Sequence, residues 1–167
     1  MVGGSRDSRP MTGRVLGLDV GSRRLGVAVS DPTGTVASPL ATVPRRKAAD
    51  DAAALAKLAA EQQASRIVVG LPVTLAGREG QAAHAVRAYV AELAQLLPGI
   101  SFELTDERLS TVAAEHALID GGVRRRDRRE VVDQVAASVF LQTWLNIRHS
   151  QGRGQAQAGG QDRETSR

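Results

Sequence analysis

Residues 15–31 read VLGLDVGSRRLGVAVSD, two short apolar segments joined by a turn that contains Gly21. This pattern predicts a β-hairpin. Asp19 is the exception in it, because aspartate is depleted in strands and its charge is costly to bury. Two interpretations are open: an aspartate that caps the turn, or a carboxylate aimed into a site where a metal ion or substrate offsets its desolvation. The neighbouring Gly17 and Gly21 suit a place that another backbone or a phosphate approaches closely.

Composition narrows the class of protein. The 167 residues are enough for one domain with a sizeable core, and 42% of them are hydrophobic, without a run long enough to span a membrane. The absence of cysteine excludes disulfides and cysteine-ligated zinc, and we expect a cytoplasmic location. A formal net charge of +4 favours a polyanionic partner. Four aromatic residues are too few for a single-stranded nucleic-acid platform built by base stacking.

The remaining chain alternates helical and extended patterns. Three adjacent strands at the start form a meander, and the strand–helix crossovers that follow make a mixed five-stranded sheet with helices on both faces, in the α/β class. After the hairpin the pattern predicts a strand over 36–43, a helix over 48–63, a strand over 66–70, a helix over 81–97, a strand over 100–104, and helices over about 110–119 and 127–147.

The two ends of the chain differ from the middle. Residues 1–13 are polar and carry Gly and Arg, and nothing more apolar than alanine occurs beyond His149. We therefore expect a disordered segment over 1–13, a folded domain over 14–148 and a disordered tail over 149–167. Met11 is a candidate second start.

Acidic residues occupy three informative positions. Asp19 ends the first strand, and Asp106 and Glu107 end the last one, where open α/β sheets place their sites. Asp133 shares a helical stripe with apolar residues, which is costly unless the charge pairs with an arginine or binds a metal ion. Converging carboxylates suit Mg²⁺ or Mn²⁺, and two such ions about 3.5–4 Å apart would bind the attacking and leaving oxygens of a phosphodiester.

Four motifs together resemble a known family. GLDVGSRRLGVAVSD, VVGLP with the later GREG, DERLST and VDQVAAS are similar, in this order, to the motifs of the YqgF/RuvX family of Holliday junction resolvases, which are also assigned to pre-16S rRNA processing. The resemblance covers residues 14–147 and implies a ribonuclease H-like fold. It implies that Asp19, Glu107 and Asp133 are the metal-binding catalytic acids, with Asp106 as a second candidate ligand in the same motif.

Basic residues are the candidate substrate contacts. Arg23, Arg24 and Arg108 match basic positions of the family motifs and could contact phosphate. The run Arg124, Arg125 and Arg126 comes just before the helix that carries Asp133, and is interpreted either as a solvated loop or as a nucleic-acid-binding patch. Where the family often has Met-Asp-Gly, this chain has residues 75–77 as Leu-Ala-Gly, so we expect no acidic role for that loop.

These observations predict a metal-dependent endonuclease that uses Mg²⁺ or Mn²⁺ and processes the 5′ end of pre-16S rRNA. Holliday junction resolution is the alternative, because the same chemistry acts on RNA and DNA. A non-catalytic nucleic-acid-binding module is a second alternative, which an intact acidic triad disfavours. Junction resolution takes two matched cuts and favours a two-fold dimer. The sequence lacks a clear aromatic anchor for a partner subunit, so we expect a monomer and no membrane association.

Overall fold

The computed structural model describes residues 13–74, 76–107 and 128–158, with side chains from 133 to 153 in the last range. No helix in these ranges is long and apolar enough to cross a membrane. The elements in chain order are strands β1 (Arg14–Val20), β2 (Arg24–Ser30) and β3 (Ala37–Pro44), helix α1 (Ala48–Gln62), strand β4 (Ala64–Leu71), helix α2 (Gln81–Leu96), strand β5 (Ser101–Asp106) and helix α3 (Arg128–Ala158).

The five strands form one mixed sheet in the order β3-β2-β1-β4-β5. β1 pairs antiparallel with β2, and β2 antiparallel with β3, which confirms the predicted hairpin and meander. β1, β4 and β5 are parallel, so their carboxyl ends meet at one edge of the sheet. The predicted α/β class and strand order are therefore confirmed.

Side chains alternate between the two faces of the central strands and build a core on each face. Leu16 and Leu18 of β1 pack with buried residues of α1 and α2 on one face, whereas Val15 packs with α3 on the other. The apolar stripe of α3 that covers this second face comprises Ala137, Phe140, Leu141, Trp144 and Leu145. Helices thus cover both faces, as the sequence predicts.

The last helix is longer than its apolar pattern predicts. The expected helix end near residue 147 is wrong, because α3 continues to Ala158. Arginine, glutamine and alanine favour a helix without an apolar face. A ring nitrogen of His149 also lies 2.8 Å from the carbonyl oxygen of Gly34, which fastens this part of the helix to the β2–β3 turn. The predicted helix over 110–119 and Met11 lie outside the described residues, and the division into three segments stays a prediction.

α3 approaches the hairpin closely at two glycines. A Cβ atom on Gly26 of β2 would collide with the backbone carbonyl of Asp133, and one on Gly17 of β1 would lie 3.0 Å from the carbonyl oxygen of Ala137. Any side chain at Gly26 would therefore push α3 off the sheet. Gly26 is also the register partner of Asp19, so this contact brings the backbone of Asp133 close to Asp19.

We predict that Gly26→Ala lowers the free energy of unfolding by about 1–3 kcal/mol, the usual cost of forcing a methyl group into a packed contact. Urea denaturation measures this change. Gly99→Ala is the matched control, because nothing lies within 4 Å of a Cβ built there. Equal losses of stability in the two variants would contradict the close contact between α3 and β2.

Candidate active site

Three elements bring one carboxylate each to the same edge of the sheet. Asp19 lies near the end of β1, and Glu107 directly follows β5, where its backbone N–H donates to the carbonyl oxygen of Leu71 at 3.3 Å. Asp133 arrives from α3, against Gly26. The Glu107 carboxylate lies over Gly70 of β4, and a Cβ atom on Gly70 would collide with its Oε2. The absence of a side chain at Gly70 therefore leaves room for Glu107 next to β1.

The environment of Asp19 shows that these carboxylates act on one another. The pKa of Asp19 is raised from its ordinary value of 3.8 to about 7, mainly by burial and in addition by the negative charges of Glu107 and Asp133. A buried carboxyl group surrounded by like charges is typical of a functional site rather than of a turn cap. The structure thus favours the second interpretation of Asp19, a carboxylate aimed into a site.

Glu107 and Asp106 have different environments although they are adjacent. Burial raises the pKa of Glu107, and the charge of Asp106 adds to this effect. Asp106 itself is exposed, whereas Glu107 is half-buried. The charges that raise the pKa of Asp19 are those of Glu107 and Asp133. This arrangement favours Glu107 over Asp106 as the principal carboxylate of β5.

Asp133 has an arginine partner as well as acidic neighbours. Its Oδ2 lies 3.4 Å from Nε of Arg24, and both side chains are partly exposed. Burial raises the pKa of Asp133, and Arg24 opposes this shift through its charge and a hydrogen bond. Asp133 therefore forms the salt bridge that one interpretation expects, and its negative charge also raises the pKa of Asp19.

The donor set suits a hard divalent cation, although the carboxylates do not form a closed ligand shell. Within the described residues, no three His, Asp or Glu side chains lie close enough together to hold a metal ion. Carboxylates such as those of Asp19, Glu107 and Asp133 are nevertheless the oxygen ligands that Mg²⁺ and Mn²⁺ prefer, and a cation would relieve their mutual repulsion. Metal binding would then require the side chains to move together and Arg24 to release Asp133.

The remaining predicted site residues divide into two groups. Arg23 is exposed in the β1–β2 turn, and Arg24 pairs with Asp133. The others, Arg108, Arg124, Arg125 and Arg126, lie outside the described residues.

One buried polar group escaped the sequence analysis. Asp51 of α1 is buried; its Oδ2 accepts a hydrogen bond from the Tyr89 hydroxyl at 2.7 Å and its Oδ1 accepts one from the backbone N–H of Arg46 at 2.8 Å. The available signal was the pair Asp50-Asp51, which follows three basic residues after two alanines. It was missed because Tyr89 is 38 positions away along the chain.

The comparisons with known proteins agree with this geometry. A family model described as RuvX, Holliday junction resolvase, matches residues 13–147. The chain belongs to the RuvX family. It is 48% identical over 145 residues to a protein of Nocardia farcinica (strain IFM 10152) named "Putative pre-16S rRNA nuclease", covering 83% of this chain and 81% of that protein. A protein of the same name from Myxococcus xanthus (strain DK1622) is 49% identical over 133 residues, covering 80% of this chain and 87% of that protein.

A solved structure supports the fold of this RuvX-family chain. T. thermophilus RuvC in complex with a Holliday junction substrate matches with a TM-score of 0.52 and 16% sequence identity, covering 82% of this chain and 96% of RuvC. The expected ribonuclease H-like fold is therefore confirmed. The family makes the chain a phosphodiester hydrolase that acts on nucleic acid.

We predict that Asp19→Asn stabilises the metal-free protein at high pH. Because the pKa of Asp19 is about 7 in the fold and 3.8 ordinarily, ionisation costs stability as the pH rises between these values. In EDTA at pH 8 the variant should gain on the order of 1–3 kcal/mol in free energy of unfolding, and near pH 4 the gain should vanish. Urea denaturation at both pH values measures this.

Asp133→Asn is the matched control for this experiment, because it also removes one negative charge. It should gain less stability, since it loses its charge-assisted contact with Arg24. A loss of stability of Asp19→Asn at pH 8 would contradict the electrostatic description of the site.

Proposed function

We propose that this chain is an endonuclease that processes the 5′ end of pre-16S rRNA, with Mg²⁺ or Mn²⁺ held by Asp19, Glu107 and Asp133. The observation that carries the proposal is the partly buried Asp19, whose pKa is raised by desolvation and by the charges of the other two carboxylates. Relatives named for pre-16S rRNA that are 48% and 49% identical support the substrate. The proposal includes a cytoplasmic location.

Each residue has a defined part in this proposal. Bound metal ions would stabilise the attacking and leaving oxygens of the phosphodiester. Asp19 supplies the central ligand, since it is the carboxylate on which the other two act, and Asp106 is an exposed candidate at the rim. Arg24 neutralises Asp133 in the metal-free protein and is then available to contact a phosphate oxygen. Arg23 contributes a second, exposed cation.

The residues outside the described ranges enter the proposal from the sequence alone. Arg108 directly follows Glu107, and Arg124, Arg125 and Arg126 come shortly before α3. We propose that they contact phosphates of the substrate.

Holliday junction resolution is the second candidate function, because the matching family model is described by this activity. Two matched cuts on opposing strands favour a two-fold dimer. The exposed large apolar side chains among the described residues are Val36, Leu96 and Ile147, few compared with the apolar core of a stable dimer interface. We therefore propose a monomer and place rRNA processing first. A non-catalytic binding module ranks below both functions, because the three acidic residues Asp19, Glu107 and Asp133 are all present.

We predict that the wild-type protein cleaves a pre-16S rRNA fragment in the presence of Mg²⁺ or Mn²⁺. Asp19→Asn, Glu107→Gln and Asp133→Asn should each lower the single-turnover rate by about a hundredfold or more, the usual effect of losing a group that stabilises transition-state charge. Glu61→Gln is the control, because Glu61 is an exposed carboxylate on α1. Normal cleavage by the three neutral variants would overturn the site assignment.

The same assay with a four-way DNA junction ranks the two functions. We expect faster cleavage of the rRNA fragment by a protein that sediments as a monomer. Paired nicks on opposing junction strands, made by a stable dimer, would reverse this ranking.

A further inference from the structure

A group of cations lies beside the acidic site and has no part in holding a metal ion. Arg23 in the β1–β2 turn and Arg46 and Lys47 after β3 are all exposed. We call these three residues the basic shoulder. Gly21, which begins the turn, is two residues beyond Asp19, about 7 Å along an extended chain. Arg23 also directly precedes Arg24, whose Nε lies 3.4 Å from Oδ2 of Asp133, so the backbone of the shoulder begins beside the acidic site.

Backbone contacts join the two segments of the basic shoulder. The backbone N–H of Arg45 donates to the carbonyl oxygen of Arg23 at 2.9 Å, and the Arg45 guanidinium donates to the carbonyl oxygen of Gly21 at 2.8 Å. Gly21 in turn donates its N–H to the carbonyl oxygen of Arg24 at 2.9 Å, which closes the turn. Arg45 thus joins the segment after β3 to the turn after β1, and the backbone segments that carry the three exposed cations are adjacent.

Hydrogen bonds of the buried Asp51 hold the backbone of the basic shoulder in place. The Asp51 carboxylate accepts hydrogen bonds from the backbone N–H of Arg46 and from the Tyr89 hydroxyl. The guanidinium carbon of Arg45 lies 4.5 Å from the centre of the Tyr89 ring. Asp51 therefore holds the backbone of the shoulder and leaves the Arg46 side chain exposed. Since the backbone is ordered before a ligand arrives, binding costs less conformational entropy.

The charges of the basic shoulder differ from those of three other cations in the described residues, which are paired with acids. Lys57, Arg66 and Arg87 each have an ion pair with a glutamate, whereas the shoulder side chains form none within residues 13–74, 76–107 and 133–153. Asp50 is the exposed acidic residue that follows them on α1. Exposed cations that form no ion pair among the described residues are available to a polyanion.

We propose that the basic shoulder binds the sugar–phosphate backbone of the nucleic acid next to the phosphodiester that is cleaved. The inference rests on the proposed nuclease function and adds a binding surface to it. Point charges on Arg and Lys, without an exposed aromatic ring among them, are suited to phosphates and not to base stacking. The shoulder therefore increases the affinity for nucleic acid and positions its backbone, whatever the base sequence.

The test measures binding and not cleavage. Wild-type protein and the double variant Arg46→Gln/Lys47→Gln are titrated in EDTA against a fluorescently labelled duplex DNA, a four-way DNA junction and a pre-16S rRNA fragment, over a series of salt concentrations. Each lost phosphate contact lowers the slope of log K against log salt by about 0.9 on duplex DNA. The double variant should lose about 1.8 from that slope and bind several-fold more weakly at moderate salt.

Two controls separate the shoulder from general charge effects. Lys57→Gln removes one exposed cation of the same helix, about 15 Å from Lys47 along its axis, and should leave the slope unchanged. The charge-preserving variant Arg46→Lys/Lys47→Arg should also keep the wild-type slope. If the double variant melts at a lower temperature than wild type, Lys47→Gln alone carries the test, with an expected loss of about 0.9.

The results distinguish this inference from the proposed function. A wild-type slope in the double variant, or an equal loss of slope in Lys57→Gln, overturns the inference whether or not the protein cleaves RNA. A reduced slope in the double variant together with no cleavage of either substrate supports the shoulder as a nucleic-acid-binding surface and contradicts the nuclease proposal alone.

Discussion

The contact between the backbone of α3 and Gly26 is the constraint on which the site depends. It seats the last helix directly on the hairpin, and the register of the hairpin places Asp19 opposite the same glycine. Asp19 and Asp133, more than a hundred positions apart in the sequence, therefore come close together because Gly26 has no side chain. The apolar stripe of α3 supplies the free energy for this packing, and Gly26 determines how close the helix can come.

The fold tolerates electrostatic repulsion between the carboxylates around Asp19. Asp19 is partly buried and two further carboxylates act on it, which lowers the stability of the metal-free protein near neutral pH. Arg24 offsets part of this cost through Asp133, and the basic shoulder places further positive charge nearby. Such unfavourable electrostatic interactions are expected where a site must bind a metal ion and an anionic substrate. The charged residues of the site thus lower the stability of the metal-free protein and, in this account, bind the metal ion and the substrate.

Much of the fold could be predicted because its signals are local. Strand alternation, apolar runs and turn residues define β1 to β5 and both central helices within a few positions. Asp19 and Asp133 were identifiable because each breaks the apolar pattern of its own element. The end of α3 could not be predicted, since residues 148–158 have no apolar face. The contact between His149 and Gly34 that holds this part of the helix joins distant parts of the chain. The Asp51–Tyr89 pair was missed for the same reason.

The most direct measurement of the acidic site is a crystal structure of the protein soaked in Mn²⁺, at a concentration that supports cleavage. The anomalous difference map should show a peak about 2.0–2.5 Å from carboxylate oxygens of Asp19 and of Glu107 or Asp133, with the Arg24–Asp133 pair opened. The same soak of Asp19→Asn crystals should remove the peak. Manganese bound elsewhere, or no peak with the Arg24–Asp133 pair intact, would contradict a metal site formed by these three carboxylates.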